Sequence, residues 1–163
     1  MAYVRVKKIK DREYAYLVKN KWLKGKKRPK QSVSRYLGRV YSYSDPKDHS
    51  FLSFVKKETV DHYIKDSEKK ALVEDLILWE FRKHGVTGVS VDMKKGDVSV
   101  KGKSVSLRLN EGHMNSHTLS ELIKFRKEKK EEDGFNMAKK FIDAGIKIPE
   151  ELFIEVFSSK LFK

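Results

Sequence analysis

The sequence predicts an α+β protein: a three-stranded antiparallel N-terminal sheet followed by a mostly helical domain with a small antiparallel hairpin sheet. Three observations carry this expectation. Residues 3–39 repeat with period two and are rich in Tyr, Val and Trp, the pattern of half-buried strands. The run from Leu72 to Phe81 is apolar at helical spacing and ends at Gly85. Between them and the C-terminal helices lie short β-branched segments joined by Gly96 and Gly102.

Taken in order, Tyr3 to Ile9 alternates, Glu13 to Leu23 follows after the polar turn Lys10-Asp11-Arg12, and Gln31 to Leu37 follows after Lys24-Gly25-Lys26, where glycine supplies a positive φ. Pairing around these turns places Tyr3, Arg5, Lys7, Ile9, Tyr14, Tyr16, Val18, Trp22, Val33, Arg35 and Leu37 on one face. Val4, Val6, Lys8, Ala15, Leu17, Lys19, Ser32, Ser34 and Tyr36 fall on the other. Residues 1–40 are therefore read as a basic three-stranded β module, 41–50 as a Ser/Asp/Pro-marked linker, and 51–163 as an α+β, mostly helical domain.

In that second part Phe51 to Lys65 is expected to be one helix. The central helix is expected to be capped by Ser67 and closed by Gly85. Val89–Met93, Asp97–Val100 and Val105–Leu109 read as short strands, the last broken by Asn110-Glu111-Gly112. Thr118-Leu-Ser-Glu121 has the pattern of a capping box opening a helix to about Lys130. Asp133 to Ala144 reads as a helix stopped by Gly145, and Pro149 opens the last one, with Glu150 and Glu151 at its positive end.

Charge is the functional signal. Residues 1–40 hold 14 Lys/Arg against only Asp11 and Glu13, whereas the remaining 123 residues carry 23 basic and 21 acidic groups. A segment this cationic repels itself until a polyanion completes it. The tip from Lys24 to Lys30 packs five cations into seven residues, and a two-stranded ribbon of this kind enters a major groove or follows a phosphate backbone. The expected nucleic-acid-binding residues are Arg5, Lys7, Lys8, Tyr16, Trp22, Lys24, Lys26, Lys27, Arg28, Lys30, Arg35 and Arg39. Interleaved Tyr3, Tyr14, Tyr16, Trp22 and Tyr36 offer a base-stacking surface, or alternatively pack against the first helices.

The stretch Tyr3-Val-Arg-Val-Lys-Lys-Ile-Lys, then Tyr14-Ala-Tyr-Leu-Val18, Lys27-Arg28-Pro-Lys-Gln31-Ser-Val33 and Arg35-Tyr36-Leu37-Gly38-Arg39 resembles the N-terminal segment of DDE-class insertion-sequence transposases. The resemblance covers about 40 residues and implies a DNA-binding appendage. It does not extend to the catalytic domain, for whose ribonuclease-H-like core the chain is too short.

Catalytic patterns are sparse. Asp92-Met93-Lys94 has the D-x-K flavour of restriction-type nucleases, so a metal-dependent nuclease built on Asp92, Asp97 and Glu111 is one alternative. The preceding strand supplies no acid, and both aspartates are read rather as turn-flanking surface groups. His113 and His117 have a metal-like i, i+4 spacing but are expected in a loop, without further ligands. With no cysteine, thiolate chemistry and disulfides are excluded. No cofactor is implied. No apolar run is long enough to span a bilayer and no signal-peptide pattern opens the chain, so a cytoplasmic protein without a membrane partner is expected. The reading is thus a non-catalytic nucleic-acid-binding protein, duplex DNA favoured. A ribonucleoprotein assembly factor binding structured RNA shares its charge evidence. The apolar C-terminal helix (Leu152, Phe153, Ile154, Val156, Phe157, Leu161, Phe162) offers a contact for a second copy or a protein partner.

Overall fold

The computed structural model describes residues 2–25 and 27–163. Strands β1 (Ala2–Ile9), β2 (Arg12–Lys21) and β3 (Lys30–Ser42) form an antiparallel meander. Its first turn has Lys10 at a φ of 55°. Helices α1 (Phe51–Val55), α2 (Val60–Lys65) and α3 (Lys69–His84) follow, then β4 (Ser90–Asp92), β5 (Asp97–Val100), β6 (Lys103–Leu109) and β7 (Gly112–Met114). Helices α4 (Ser116–Lys124), α5 (Asp133–Asp143) and α6 (Glu150–Ser158) complete the chain.

The meander is not a separate sheet, as the sequence had implied. β3 runs to Ser42, into the stretch expected as linker, and pairs in parallel with β6 from Arg39–Val105 to Ser42–Arg108. One seven-stranded sheet results, ordered β1-β2-β3-β6-β5-β4, with β7 also on β6. A parallel pair needs a long crossover connection, and α1 through β5 provide it, which is why local patterns could not announce the pairing. The fold is a mixed helix-and-strand one; the small hairpin sheet expected on its own is the far end of the same sheet.

Two cores serve the molecule. The larger gathers Leu72, Leu76 and Ile77 of α3, Val105, Leu107 and Leu109 of β6, Leu119 and Leu122 of α4, Phe141 of α5, Val156 of α6, and Phe162. The smaller lies under the meander: Ala15, Leu17, Leu37 and Val40, flanked by Ala2, Val4 and Val6. Among the described residues no helix is long and apolar enough to cross a membrane.

Several local expectations shift. The helix expected over Phe51–Lys65 is split because Lys56 adopts a left-handed conformation, closing α1, and Thr59 then caps α2 by accepting from the His62 amide. Ser67 does not cap α3; its hydroxyl donates to the Tyr63 carbonyl. Gly85 does close α3 in the left-handed region. The capping box of α4 sits one turn earlier than expected: Asn115 accepts from the His117 and Thr118 amides while Thr118 accepts from the Asn115 amide.

A buried carboxylate ties the helical half together. Glu80 of α3 is fully buried and accepts from the Lys147 amide (2.8 Å), Asn110 Nδ2 (3.1 Å) and Lys83 Nζ (3.3 Å), with His84 Nε2 also 3.3 Å away. It thereby joins α3 to the β6–β7 turn and to the α5–α6 loop. The 43–50 segment is pinned to α3 as well: Trp79 Nε1 donates to the His49 carbonyl, the Lys47 amide to the Lys83 carbonyl, and His84 Nδ1 lies 3.0 Å from the Ser44 carbonyl.

Candidate nucleic-acid interface

Opposed residues in a sheet share a face, so the register of β1, β2 and β3 defines the surface in rows. One face reads Tyr3–Val18–Val33, then Arg5–Tyr16–Tyr36, then Lys7–Tyr14–Arg39. The reverse face reads Ala2–Lys19–Ser32, Val4–Leu17–Arg35 and Val6–Ala15–Gly38, ending at Lys8–Glu13.

The sequence reading assigned β1 and β2 to these faces correctly but reversed part of β3. Tyr36, not Arg35 or Leu37, joins Tyr14 and Tyr16. The register of β3 slips twice, passing over Ser34 and then Leu37, and each extra residue inverts the in–out alternation beyond it. The slips carry Leu37 into the small core and turn Tyr36 outward.

The rings form a compact group. Tyr36 lies 5.4 Å from Tyr16 and 6.4 Å from Tyr14, centroid to centroid, in tilted arrangements. Lys7 Nζ sits 5.3 Å over the Tyr16 ring, and the Arg39 guanidinium 4.9 Å over Tyr41. Arg5 donates to Gln31 Oε1 (2.7 Å), and Gln31 Nε2 donates to the Tyr3 hydroxyl (2.8 Å), fixing this edge of the patch. Burial, together with Tyr16 and Tyr14, pushes the Tyr36 hydroxyl pKa up from its usual value. Tyr14, Tyr16 and Tyr36 pack on one another and belong to neither core cluster, whereas Tyr41 packs against the larger core, and Tyr36 remains 51 % exposed.

Of the expected contact residues, Arg5, Lys7, Tyr16 and Arg39 thus share the tyrosine face. Trp22, Lys24, Lys27 and Arg28 lie exposed in the β2–β3 connection, and Lys30 opens β3 opposite Lys21. Trp22 is 73 % exposed and packs on no core. Lys8 and Arg35 point to the reverse face, away from the others, and Lys26 lies outside the described residues. Tyr14, Tyr36 and Tyr3, which the sequence offered as a base-stacking surface, complete the patch together with Gln31, which was not among the expected contacts.

Electrostatically the surface is unneutralised. Among the described residues no Lys or Arg of β1–β3 or their connections forms an ion pair with an acid. The one ion pair of the meander instead consumes an acid: Arg108 of β6 grips Glu13 with two nitrogens at 3.1 and 3.3 Å and also donates to Ser42. Among the described residues of the first 40, that leaves Asp11 as the one carboxylate outside an ion pair.

The other candidate groups are structurally employed. Asp92 and Asp97 face each other across the β4–β5 turn, and the Asp92 carboxylate accepts from the Lys94 and Lys95 amides, which hold its pKa below the usual value. His113 is not in a loop but in β7, opposite Arg108, while His117 lies in the first turn of α4. Among the described residues no group of three or more His, Asp or Glu is placed to hold a metal ion. Comparison with protein-family models, curated proteins and solved structures returns no match for this chain.

Proposed function

We propose that the protein binds nucleic acid without transforming it, duplex DNA in preference to structured RNA, through the basic meander β1–β3. The observation that carries this reading is the lack of internal counter-charges among the described residues: the cations there are exposed, Arg39 half-buried, and none is paired with an acid of the helical half. Exposed Lys24, Lys27, Arg28 and Lys30 at the β2–β3 tip are suited to successive phosphates. The preference for DNA rests on the transposase-like segment and on the ribbon shape of the tip. The apolar side chains that α5 and α6 leave exposed, Phe135, Ile142 and Ile154, are where a protein partner or a second copy would dock.

Titrating labelled duplex DNA, duplex RNA and single strands at several salt concentrations tests the proposal. With about six phosphates neutralised, log affinity falls with log salt at a slope of about −5. Replacing Lys24, Lys27 and Lys30 by Gln makes that slope shallower by about 2.7. A salt-independent or undetectable interaction refutes the reading. A clear preference for duplex RNA turns it toward ribonucleoprotein assembly.

A further inference from the structure

We infer that the tyrosine face of the meander is a stacking platform for unpaired bases, so that the preferred ligand is a duplex flanked by a single-stranded segment. This rests on the nucleic-acid reading above and specifies what its ligand must look like.

The tip and the face present different chemistry. At the tip, cations crowd a turn and one exposed indole accompanies them. On the face, three tyrosines occupy the middle of a patch whose rows are spaced about 7 Å along the strands and about 5 Å across them. Cations stand at the margins: Arg5 and Lys7 on β1, Arg39 on β3. None of the nine positions in the three rows is acidic.

A closed duplex has little use for such a patch. Its base faces are already stacked on one another, and only base edges and phosphates reach a protein surface. Unpaired bases expose a π-face of their own, and stacking on an aromatic side chain is insensitive to base identity. Tyr36 is the ring with the most open surface, and Tyr16 and Tyr14 beside it bracket a second base position. The Tyr3–Gln31–Arg5 chain holds the Arg5 guanidinium at the rim with one hydrogen bond, leaving its other donors for a phosphate between two stacked bases.

The alternatives to a base are poorer occupants. A second copy using the same face would bring Arg5, Lys7 and Arg39 against their own kind in a two-fold contact. The helices of this chain pack on the far end of the sheet; among the described residues their core reaches the meander at Tyr41 of β3, and Tyr43 just beyond the strand also packs against it. From Tyr16 to the end of β2 at Lys21 is about 17 Å along the strand, so a duplex held at the tip delivers an adjoining unpaired stretch over the rings.

The test compares a blunt DNA duplex with the same duplex extended by an unpaired thymine tail, measured by fluorescence anisotropy. The tailed probe is expected to bind about tenfold tighter or more. Tyr36→Ala, at a half-exposed position, removes that advantage and keeps the salt slope on the blunt duplex, since no charge is lost, and Tyr36→Phe, which keeps the ring, retains the advantage. Equal affinity for the two probes, or a Tyr36→Ala loss that is the same on both, overturns the platform while the phosphate-binding reading stands. A change in sedimentation on Tyr36→Ala overturns it in favour of self-association. If neither probe binds at low salt, both readings fall.

Discussion

Replacing Gly38 by Ala separates the meander from the rest of the sheet. Gly38 has a φ of +111°, and a Cβ built there lies 2.2 Å from the Ser104 carbonyl oxygen, 2.6 Å from its carbon and 2.7 Å from Val105 Cα. All three are backbone atoms, so no side chain can rotate out of the way. Ordinary contact requires about 3.5 Å, so the β3 and β6 backbones must part by about 1 Å just where their parallel ladder begins at Arg39–Val105. The left-handed conformation costs an alanine about 1–2 kcal/mol. Loosening two or three ladder hydrogen bonds adds about 2–3 kcal/mol. The expected loss is about 4 kcal/mol, equivalent to a melting temperature lower by about 8–16 °C for a chain of this size. Gly25→Ala is the matched control: its φ is +88°, but nothing lies within 4 Å of the added Cβ, so it loses only the conformational term of about 1 kcal/mol. Thermal and urea unfolding followed by circular dichroism measure both. If Gly38→Ala is no less stable than Gly25→Ala, the close β3–β6 approach is not what holds the sheet together.

Glu80→Ala strands the buried Lys83 ammonium, leaves the Lys147 amide without its acceptor and takes from Asn110 one of two, the Gly145 carbonyl remaining. It is expected to cost about 3–5 kcal/mol in urea unfolding, and a loss under about 1 kcal/mol contradicts the tie from α3 to the two loops. His113 and His117 are both held below their usual pKa, first by burial and then by Arg108 and Arg35 respectively. The unfolded chain therefore takes up protons more readily than the native one. Stability is fully present above about pH 6.5 and is lost as pH falls through that value toward the native pKa. Urea midpoints at neutral and mildly acidic pH should show the decline, and His113→Gln should lessen it; midpoints that rise on acidification refute the assignment. Acrylamide quenching should reach Trp22 (73 % exposed) but not Trp79 (5 %). Trp22→Phe should therefore abolish the accessible fraction, and a quenchable fraction that persists places the indole elsewhere.

Much of the local structure was legible because it is encoded locally. The alternation of β1 and β2, the stop at Gly85, strand β5, helix α5 ending at Gly145 and Pro149 before α6 all depend on residues within a turn or two. What escaped depends on partners far along the chain. Strand β7 is three residues long and owes its place to β6 and to the α5 C-terminus, whose Ile142 carbonyl packs against Gly112. The true cap of α4, Asn115, is buried and donates to Ser106 of β6, so its choice over the Thr118 pattern is a tertiary one.

The candidate site divides in the same way. That the first 40 residues carry their cations outside the core followed from charge arithmetic alone, because a core of this size cannot absorb 14 of them; that the described ones are not paired with acids of the helical half came from the structure. Which side chains stand together did not follow. A single slipped residue in β3 inverts the alternation beyond it, and the slip at Ser34 decided that Tyr36, and not Arg35 or Leu37, faces the tyrosines. Composition and period thus established the strands and their charge by themselves. Only the pairing of β3 with β2 on one side and β6 on the other turned them into a patch, since a slip in register is set by the partner strand; Gly38, at a φ of +111° beside the second slip, marks an irregularity but not which residue is passed over or which way the side chains turn.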